Sequence, residues 1–372
     1  MASAAIAEAS EVDGEAGWPP AAAAVAVESL LPQLPDDLAI QCIARVPRFF
    51  YPRLALVSRA WCAVIRSPDL FASRVSAGAS RSFLFVDVRT SSEVSRWYLI
   101  DLQSGNPRPL VPLPPPPIQA AGSACAALGP LLFVLGGSVE GVATAAVQIF
   151  DARFNQWHLG PRMRAAREFA AAGAVGGRMF VVGGCLPSCD HWAEVLEVQA
   201  GRWAPVASPI GVREKWMHGS VVLEGKLLAV ADRGGLLFDP AAGTWGPVST
   251  VLDIGWKGRA AVVDGIIYSY DFLGKVKGFD PAGDKWREVE GLNEDLPKFL
   301  SGATLADLGG FLCVLWEGKR MNRRKGMEIM CAAIKVDKAD AGRLRGEIVW
   351  MESISFGVSK GSTLSHCLPV EV

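Results

Sequence analysis

Histidine and tyrosine are scarce, with four of each in 372 residues. That leaves little material for a copper oxidase centre. No Walker A loop, Rossmann glycine triplet or HExxH stands in the sequence, so the common phosphate, dinucleotide and zinc-protease signatures are excluded. No cofactor and no metal is expected. Charge of one sign is not in excess either. Lys and Arg total 37 against 38 Asp and Glu, so no global field draws the chain to nucleic acid or to an anionic membrane. The N-terminal apolar stretch Ala21 to Val27 is far shorter than the ~20 residues that cross a bilayer. Met1 to Ala26 carries acids at Glu8, Glu11, Asp13 and Glu15 but no basic region or arginines. It reads as neither a secretory signal nor a transit peptide. Residues 1–28 are expected to be a disordered, Ala-rich leader. Eight cysteines are scattered at 42, 62, 125, 185, 189, 313, 331 and 367. They make no disulfide framework for a chain this long, which favours a reducing compartment, cytoplasmic or nuclear.

Three short motifs invite stronger readings. Gly357-Val358-Ser359-Lys360-Gly361 matches G-x-S-x-G, but a nucleophile elbow needs a helix after the serine and His and Asp partners. A strand is expected to follow here, and His366 is the one histidine downstream. Cys185, Cys189 and His191 share a loop, yet zinc needs a fourth ligand and usually a tighter spacing. The run Lys319 to Lys325 is either a basic address or a solvated hairpin.

What the chain has in abundance is repetition. Residues 167–213 hold an apolar run, Arg178 to Val182, between Gly176-Gly177 and Gly183-Gly184, then Trp192 to Val198, then Gly201-Arg202-Trp203. Glycine pairs permit tight turns because they reach positive φ without a Cβ clash. The pattern predicts four short antiparallel strands, a sheet that cannot bury both its faces alone. The same pattern recurs around Leu131–Leu135, Gly225–Val230 and Gly265–Tyr270, with Phe150-Asp151, Phe238-Asp239-Pro240 and Phe279-Asp280-Pro281 in register. Trp157, Trp203, Trp245 and Trp286 close the copies, 46, 42 and 41 residues apart. A four-stranded repeat of this period predicts a β-propeller, with each Trp filling the wedge between blades and the glycine pairs near the centre. Six blades are expected, near 82–118, 120–164, 167–212, 216–253, 257–293 and 299–355. The first lacks a strand, and Thr363 to Val370 is spare to supply it.

Gly-Gly after an apolar strand, an aromatic-Asp-Pro turn, then Trp resembles the kelch repeat. Arg162 to Arg167 resembles the family's linker between blades, which ends in an arginine. Upstream, Leu30 to Arg74 changes character and predicts short helices. One is capped by Asp36 or Asp37 and ended by Pro47, and a second runs from about Pro52 to Ile65. Leu34-Pro35-Asp36-Asp37, Ile40, Ile43, Arg45-Val46-Pro47, Val57-Ser58-Arg59 and Trp61 resemble the F-box, over about forty residues. The whole chain therefore resembles plant F-box/kelch proteins: a disordered leader at 1–28, F-box helices at 30–75, and an all-β kelch propeller at 81–372 closed by its C-terminal strand.

That resemblance implies a substrate receptor of an SCF-type cullin ubiquitin ligase. The F-box would bind a Skp adaptor through Leu34, Pro35, Ile43, Val57 and Trp61, and through it a cullin. The propeller would hold a target protein, and the chain itself would do no chemistry. Two other readings stay open: an F-box scaffold that meets no cullin, and a propeller lectin or enzyme with merely structural helices. In a four-stranded meander the loops between strands two and three open on the same face as the linkers between blades. That face would gather Arg164, Arg213, Lys215, Trp216, Trp192, Arg233, Trp256, Arg323 and Arg324. Arginine and tryptophan are enriched at binding hot spots, so an acidic or phosphorylated target segment is expected there.

Overall fold

The computed structural model describes residues 30–372 except 47–49, 91, 93, 102–109, 214–215, 233, 257, 272–273, 293–295, 299, 301, 319–326, 340–341, 355–357 and 360. The expected leader, Pro47, the run 319–325 and part of the G-x-S-x-G motif lie outside the described residues.

The N-terminal segment forms α1 (Asp36–Ala44), α2 (Tyr51–Leu54), α3 (Arg59–Ile65) and α4 (Pro68–Ser76). Two expectations need correction. Neither Asp36 nor Asp37 caps α1. Its N-cap is Pro35, which makes no side-chain bond, while Asp36 Oδ1 accepts from the Leu30 amide at 3.0 Å. The single second helix is in fact α2 and α3, because Ser58 is extended and its hydroxyl accepts from Trp61 N. Ser67 caps α4, its hydroxyl accepting from Leu70 N.

The remainder is β. In chain order come β1 (Ser82–Arg89), β2 (Ser95–Ile100), β3 (Val111–Pro112), β4 (Ala124–Leu128), β5 (Leu131–Leu135), a small hairpin of β6 (Ser138–Val139) and β7 (Val142–Ala143), β8 (Val147–Asp151) and β9 (Gln156–Leu159). Then come β10 (Ala171–Val175), β11 (Arg178–Val182), β12 (Ala193–Glu197), β13 (Arg202–Pro205), β14 (Met217–Leu223), β15 (Lys226–Ala231), β16 (Leu236–Asp239) and β17 (Thr244–Pro247). A short helix α5 (Thr250–Gly255) leads to β18 (Ala260–Val263), β19 (Ile266–Tyr270), β20 (Val276–Asp280) and β21 (Lys285–Glu290). Last are β22 (Thr304–Leu308), β23 (Phe311–Gly318), β24 (Glu328–Lys338), β25 (Leu344–Ser353) and β26 (Thr363–Glu371).

These strands make sheets β26-β1-β2-β3, β4-β5-β8-β9, β10-β11-β12-β13 and β14-β15-β16-β17, and an eight-stranded sheet β18-β19-β20-β21-β25-β24-β23-β22. The eight-stranded sheet consists of two antiparallel meanders joined by a short parallel contact, Val289–Glu290 against Leu344–Arg345. The innermost strands β26, β4, β10, β14, β18 and β22 adjoin one another in that order and return to β26. The arrangement is that of a propeller around a central channel. β26 runs antiparallel along β1, from Ser82 opposite Glu371 to Arg89 opposite Thr363.

Two-residue turns join first and second strands. Gly176-Gly177, Glu224-Gly225 and Asp264-Gly265 all hold positive φ at both positions, the backbone that matches the twist of a hairpin. The outermost tryptophans do more than fill wedges. The indole N–H of each donates to a carbonyl upstream: Trp157 to Pro114, Trp203 to Pro161, Trp245 to Ala207 and Trp286 to Val251, at 2.7–3.0 Å. Four sheets or meanders are thereby each stitched to the chain leaving the one before.

The glycine pairs after the second strands let backbones pass closely, as expected. Gly137 N donates to Arg167 O at 2.8 Å, and Gly184 O accepts from Glu168 N at 3.0 Å. A Cβ on Gly136 would meet the Arg167 carbonyl. Their bareness admits the linker that enters the next blade.

Candidate functional site

Two surfaces stand out. The first is the helical segment. Ile43, Ala44, Tyr51 and Leu70 form its own small core. Arg74 locks that core together, although nothing in the motif pattern pointed to it. Its guanidinium donates to the carbonyls of Ala44, Val46 and Ala79 and to the Tyr51 hydroxyl, at 2.6–3.1 Å. Trp61 is tied down as well, its Nε1 donating to the Leu30 carbonyl at 2.8 Å. Among the described residues its large exposed apolar side chains are Leu38, Phe50, Leu56, Val57 and Val75. Leu56 is 85% exposed and Val57 61%, unusual for aliphatic side chains with helices on both sides.

The segment meets the propeller at one end of the first sheet. Arg153, in the turn after β8, lies 5.7 Å over the Phe71 ring. Arg81 and Val372 exchange backbone hydrogen bonds at 2.8 and 2.9 Å. The second surface is the opposite end, where β1 finishes at Arg89 and the linkers between blades cross. Eight extended residues separate the two ends by about 25 Å.

On that far face Arg167 is fully buried. It donates to the carbonyls of Gly183, His191 and Trp192 and to Glu194 Oε1, at 2.6–3.0 Å. Glu194 also accepts from the amides of Arg164 and Ala165. The linker arginine thus fixes the path from one blade to the next.

Comparison with known proteins agrees with this geometry. The model for the F-box domain matches residues 31–73, and that for the FKB95 Kelch-repeats domain matches residues 91–355. The chain belongs to the F-box/kelch-repeat family. One Arabidopsis thaliana F-box/kelch-repeat protein is 31% identical over 357 residues, covering 87% of this chain and 90% of the relative. Another from the same plant is 29% identical over 355 residues, covering 92% of each. Among solved structures, that of YjhT overlaps 68% of this chain and 99% of its own at 14% identity and a TM-score of 0.43.

Within the F-box, the five residues picked from the motif occupy different environments. Pro35 and Val57 are exposed, Leu34 and Trp61 half-buried. Ile43 is 2% exposed and belongs to the F-box core, so it is not an anchor on the surface. Leu38 and Leu56 were missed, because exposure cannot be read from a spacing of apolar residues.

The kelch face needs larger corrections. Trp192 is fully buried, beneath the linker that Arg167 holds, and Trp256 is buried with its Nε1 donating to the Gly258 carbonyl at 3.0 Å. Neither is an exposed aromatic. Arg213 is half-buried and donates to the carbonyls of Pro187, Cys189 and Ser208, so it shapes the linker. Arg164 is exposed and Trp216 half-buried. Lys215, Arg233, Arg323 and Arg324 lie outside the described residues. Exposed apolar side chains that went unnoticed share this face: Phe169, Leu186, Ile210 and Ile254. Phe169 packs edge-on against Trp216, ring centres 5.3 Å apart.

Of the loop cysteines, Cys185 is structural. Arg167 Nη1 is 3.9 Å from Cys185 Sγ, and burial pushes the Cys185 thiol up to about 11. A protonated, buried thiol is a poor nucleophile or ligand. No helix among the described residues is long and apolar enough to cross a membrane.

Proposed function

We propose that this chain is the target-receiving subunit of an SCF-type ubiquitin ligase in the cytoplasm or nucleus. Residues 30–75 would form the adaptor-docking module and 81–372 the receptor module. The observation that carries the reading is the placement of the two surfaces. The exposed apolar F-box residues and the linker face lie at opposite ends of β1 and β26, so one can hold a Skp adaptor while the other holds a target. The chain contributes position, not chemistry: it brings a target within reach of a ligase that the adaptor and cullin assemble. Leu34, Pro35, Leu38, Leu56 and Val57 would make the adaptor contact, with Ile43 and Trp61 supporting them from behind.

Six blades is the count we infer for the propeller. What supports it is the closed circuit of innermost strands and the division of the eight-stranded sheet into two meanders. For the target, an acidic or phosphorylated segment is our reading, supported by the exposed Arg164, Phe169 and Ile210 in linkers on one face. Arg213 is too embedded to serve as a contact.

Co-purification from plant cells is the test. A Skp adaptor and a cullin recovered together with the chain support the ligase. Adaptor without cullin points to a scaffold, and neither protein would reject adaptor docking. Reversing charge at Arg164, Lys215, Arg323 and Arg324 then tests the target face: unchanged target capture with intact adaptor binding would reject it.

A further inference from the structure

A cavity of about 310 Å3 opens along the propeller axis at the linker face. That volume suits a small ligand. The innermost strands supply its wall. Arg89, Arg259, His218 and His366 line it together with Ser123, Thr304 and Ser365, and no Asp or Glu among the described residues does; Asp232 Oδ1 lies 2.5 Å from His218 Nε2 at the rim. Carboxylates are as common in this sequence as cations, so a lining with two arginines and no carboxylate departs from the chain's balance.

Arg259 is the unusual member. It immediately precedes β18, yet its Nη1 donates to the Leu364 carbonyl of β26 at 2.7 Å. β22 lies between those two strands in the ring, so the guanidinium reaches across the channel. Among the described residues it joins no salt bridge. Burial is the main influence on it and lowers its pKa, opposed by Tyr270 and Asp87 nearby. Asp87 stands behind the wall, accepting a short hydrogen bond from the Ser95 hydroxyl. A guanidinium held in such a place gains from an anion that it can grip with two parallel N–H groups.

The mouth carries a second, independent feature. Phe169 lines the cavity while 48% exposed. Its φ is +52°, a conformation bulky side chains seldom adopt. Backbone bonds hold it there: Phe169 N donates to Gly122 O at 2.6 Å and its carbonyl accepts from Met217 N at 2.9 Å. Strain of this kind persists where surrounding structure imposes it, and clusters at ligand clamps.

We propose that the channel mouth is a binding site for one small anionic group, a carboxylate or phosphate, held by Arg259 and Arg89 with Phe169 flanking the opening. The group arrives either on a free organic acid or phosphate, or on an acidic side chain of a docked protein. The site does not rest on the ligase reading, since it would bind an anion in a chain that never meets an adaptor.

Calorimetric titration of the full chain at constant ionic strength tests this with three probes: inorganic phosphate, citrate and a blocked hexaglutamate peptide. At least one probe should bind with one site per chain. Arg259→Gln should weaken it tenfold or more. His218→Glu exchanges the partner of Asp232 for a second carboxylate at the exposed rim without disturbing the core and should weaken it similarly, which keeps the test decisive should Arg259→Gln fail to fold. Binding of phosphate or citrate identifies a free anion as the source. Binding of the peptide alone identifies an acidic side chain. Binding that both variants leave unchanged, or no binding by any probe, overturns the proposal. Adaptor capture should be equal in all three proteins, so its loss would speak to the F-box and not to this cavity.

Discussion

Arg167 Nη2 lies 2.6 Å from Glu194 Oε1, and neither side chain reaches solvent. The pair lies under the linker into the third sheet, where both partners also bond backbone. Removing one partner strands the other charge in the interior, which typically costs about 3–5 kcal/mol. Arg167→Met should therefore lower the melting temperature strongly. Arg167→Met with Glu194→Gln should recover part of the loss, since Gln still accepts from one linker amide and carries no charge. A double mutant as unstable as the sum of the singles would show that the two residues act independently.

The F-box residues divide by exposure. Val57→Asp and Leu56→Asp should weaken Skp-adaptor binding more than tenfold and leave the melting temperature unchanged, because interface energy concentrates in a few apolar anchors. Leu34→Ala with Pro35→Ala should also weaken binding by more than tenfold. Ile43→Ala should behave differently, costing about 2–5 kcal/mol of stability through the cavity it leaves. Equal adaptor affinity for Val57→Asp and wild type, measured by titration, would remove that surface from the docking site.

Much of this organisation was legible beforehand, and the limits of legibility have physical causes. The Trp period, the Gly-Gly turns and the Leu-Pro-Asp-Asp start are local features with fixed spacing, and local features survive in sequence. The first sheet was one strand short, Thr363–Val370 was spare, and β26 does lie along β1. Exposure was not legible. Trp192 and Trp256 carry the residue type of a binding hot spot, but burial depends on which linker crosses above them. Arg74 bonds residues up to 30 positions away, a relation that no motif encodes. The cavity was invisible for the same reason: Arg89 and Arg259 meet only once the ring has closed.

Removal of β26 should abolish that closure. A chain ending after Ser353 loses the inner neighbour of β1 and one member of the inner ring. It should be recovered as insoluble protein, or as a compact state with strand signal in far-ultraviolet circular dichroism and no near-ultraviolet signal. A soluble truncated chain with wild-type melting temperature would show that β26 is dispensable.

Asp87 and His366 are register partners across β1 and β26, and burial shifts them in opposite directions. Asp87 is raised to about 6, chiefly by burial, and His366 is lowered to about 3 by burial and by Arg259 and Arg89. The folded state thus holds the Asp87 proton more tightly than the unfolded chain, so acidification from pH 6 to 4 stabilises through Asp87. It holds the His366 proton less tightly, so acidification from about pH 6.5 towards 3 destabilises through His366. In wild type the two effects oppose each other. Asp87→Asn keeps the acceptor for Ser95 and removes the compensating proton uptake. Its melting temperature should fall more steeply than that of wild type between pH 6 and 4, and that of His366→Asn less steeply. Parallel curves for all three proteins would refute the assignment.

The pairing of β1 with β26 also sets a timetable for synthesis. About 270 residues separate the two strands, and a ribosome adding ~5–20 residues per second needs roughly 15–55 s to cross that distance. The helices and β1 emerge early and β26 emerges after every other strand. Throughout that interval β1 has an open inner edge, the kind of surface that recruits foreign strands. A nascent chain must therefore be shielded until Thr363–Glu371 clears the exit tunnel. On stalled ribosomes, protease resistance of β1 should appear only in chains long enough to expose that segment.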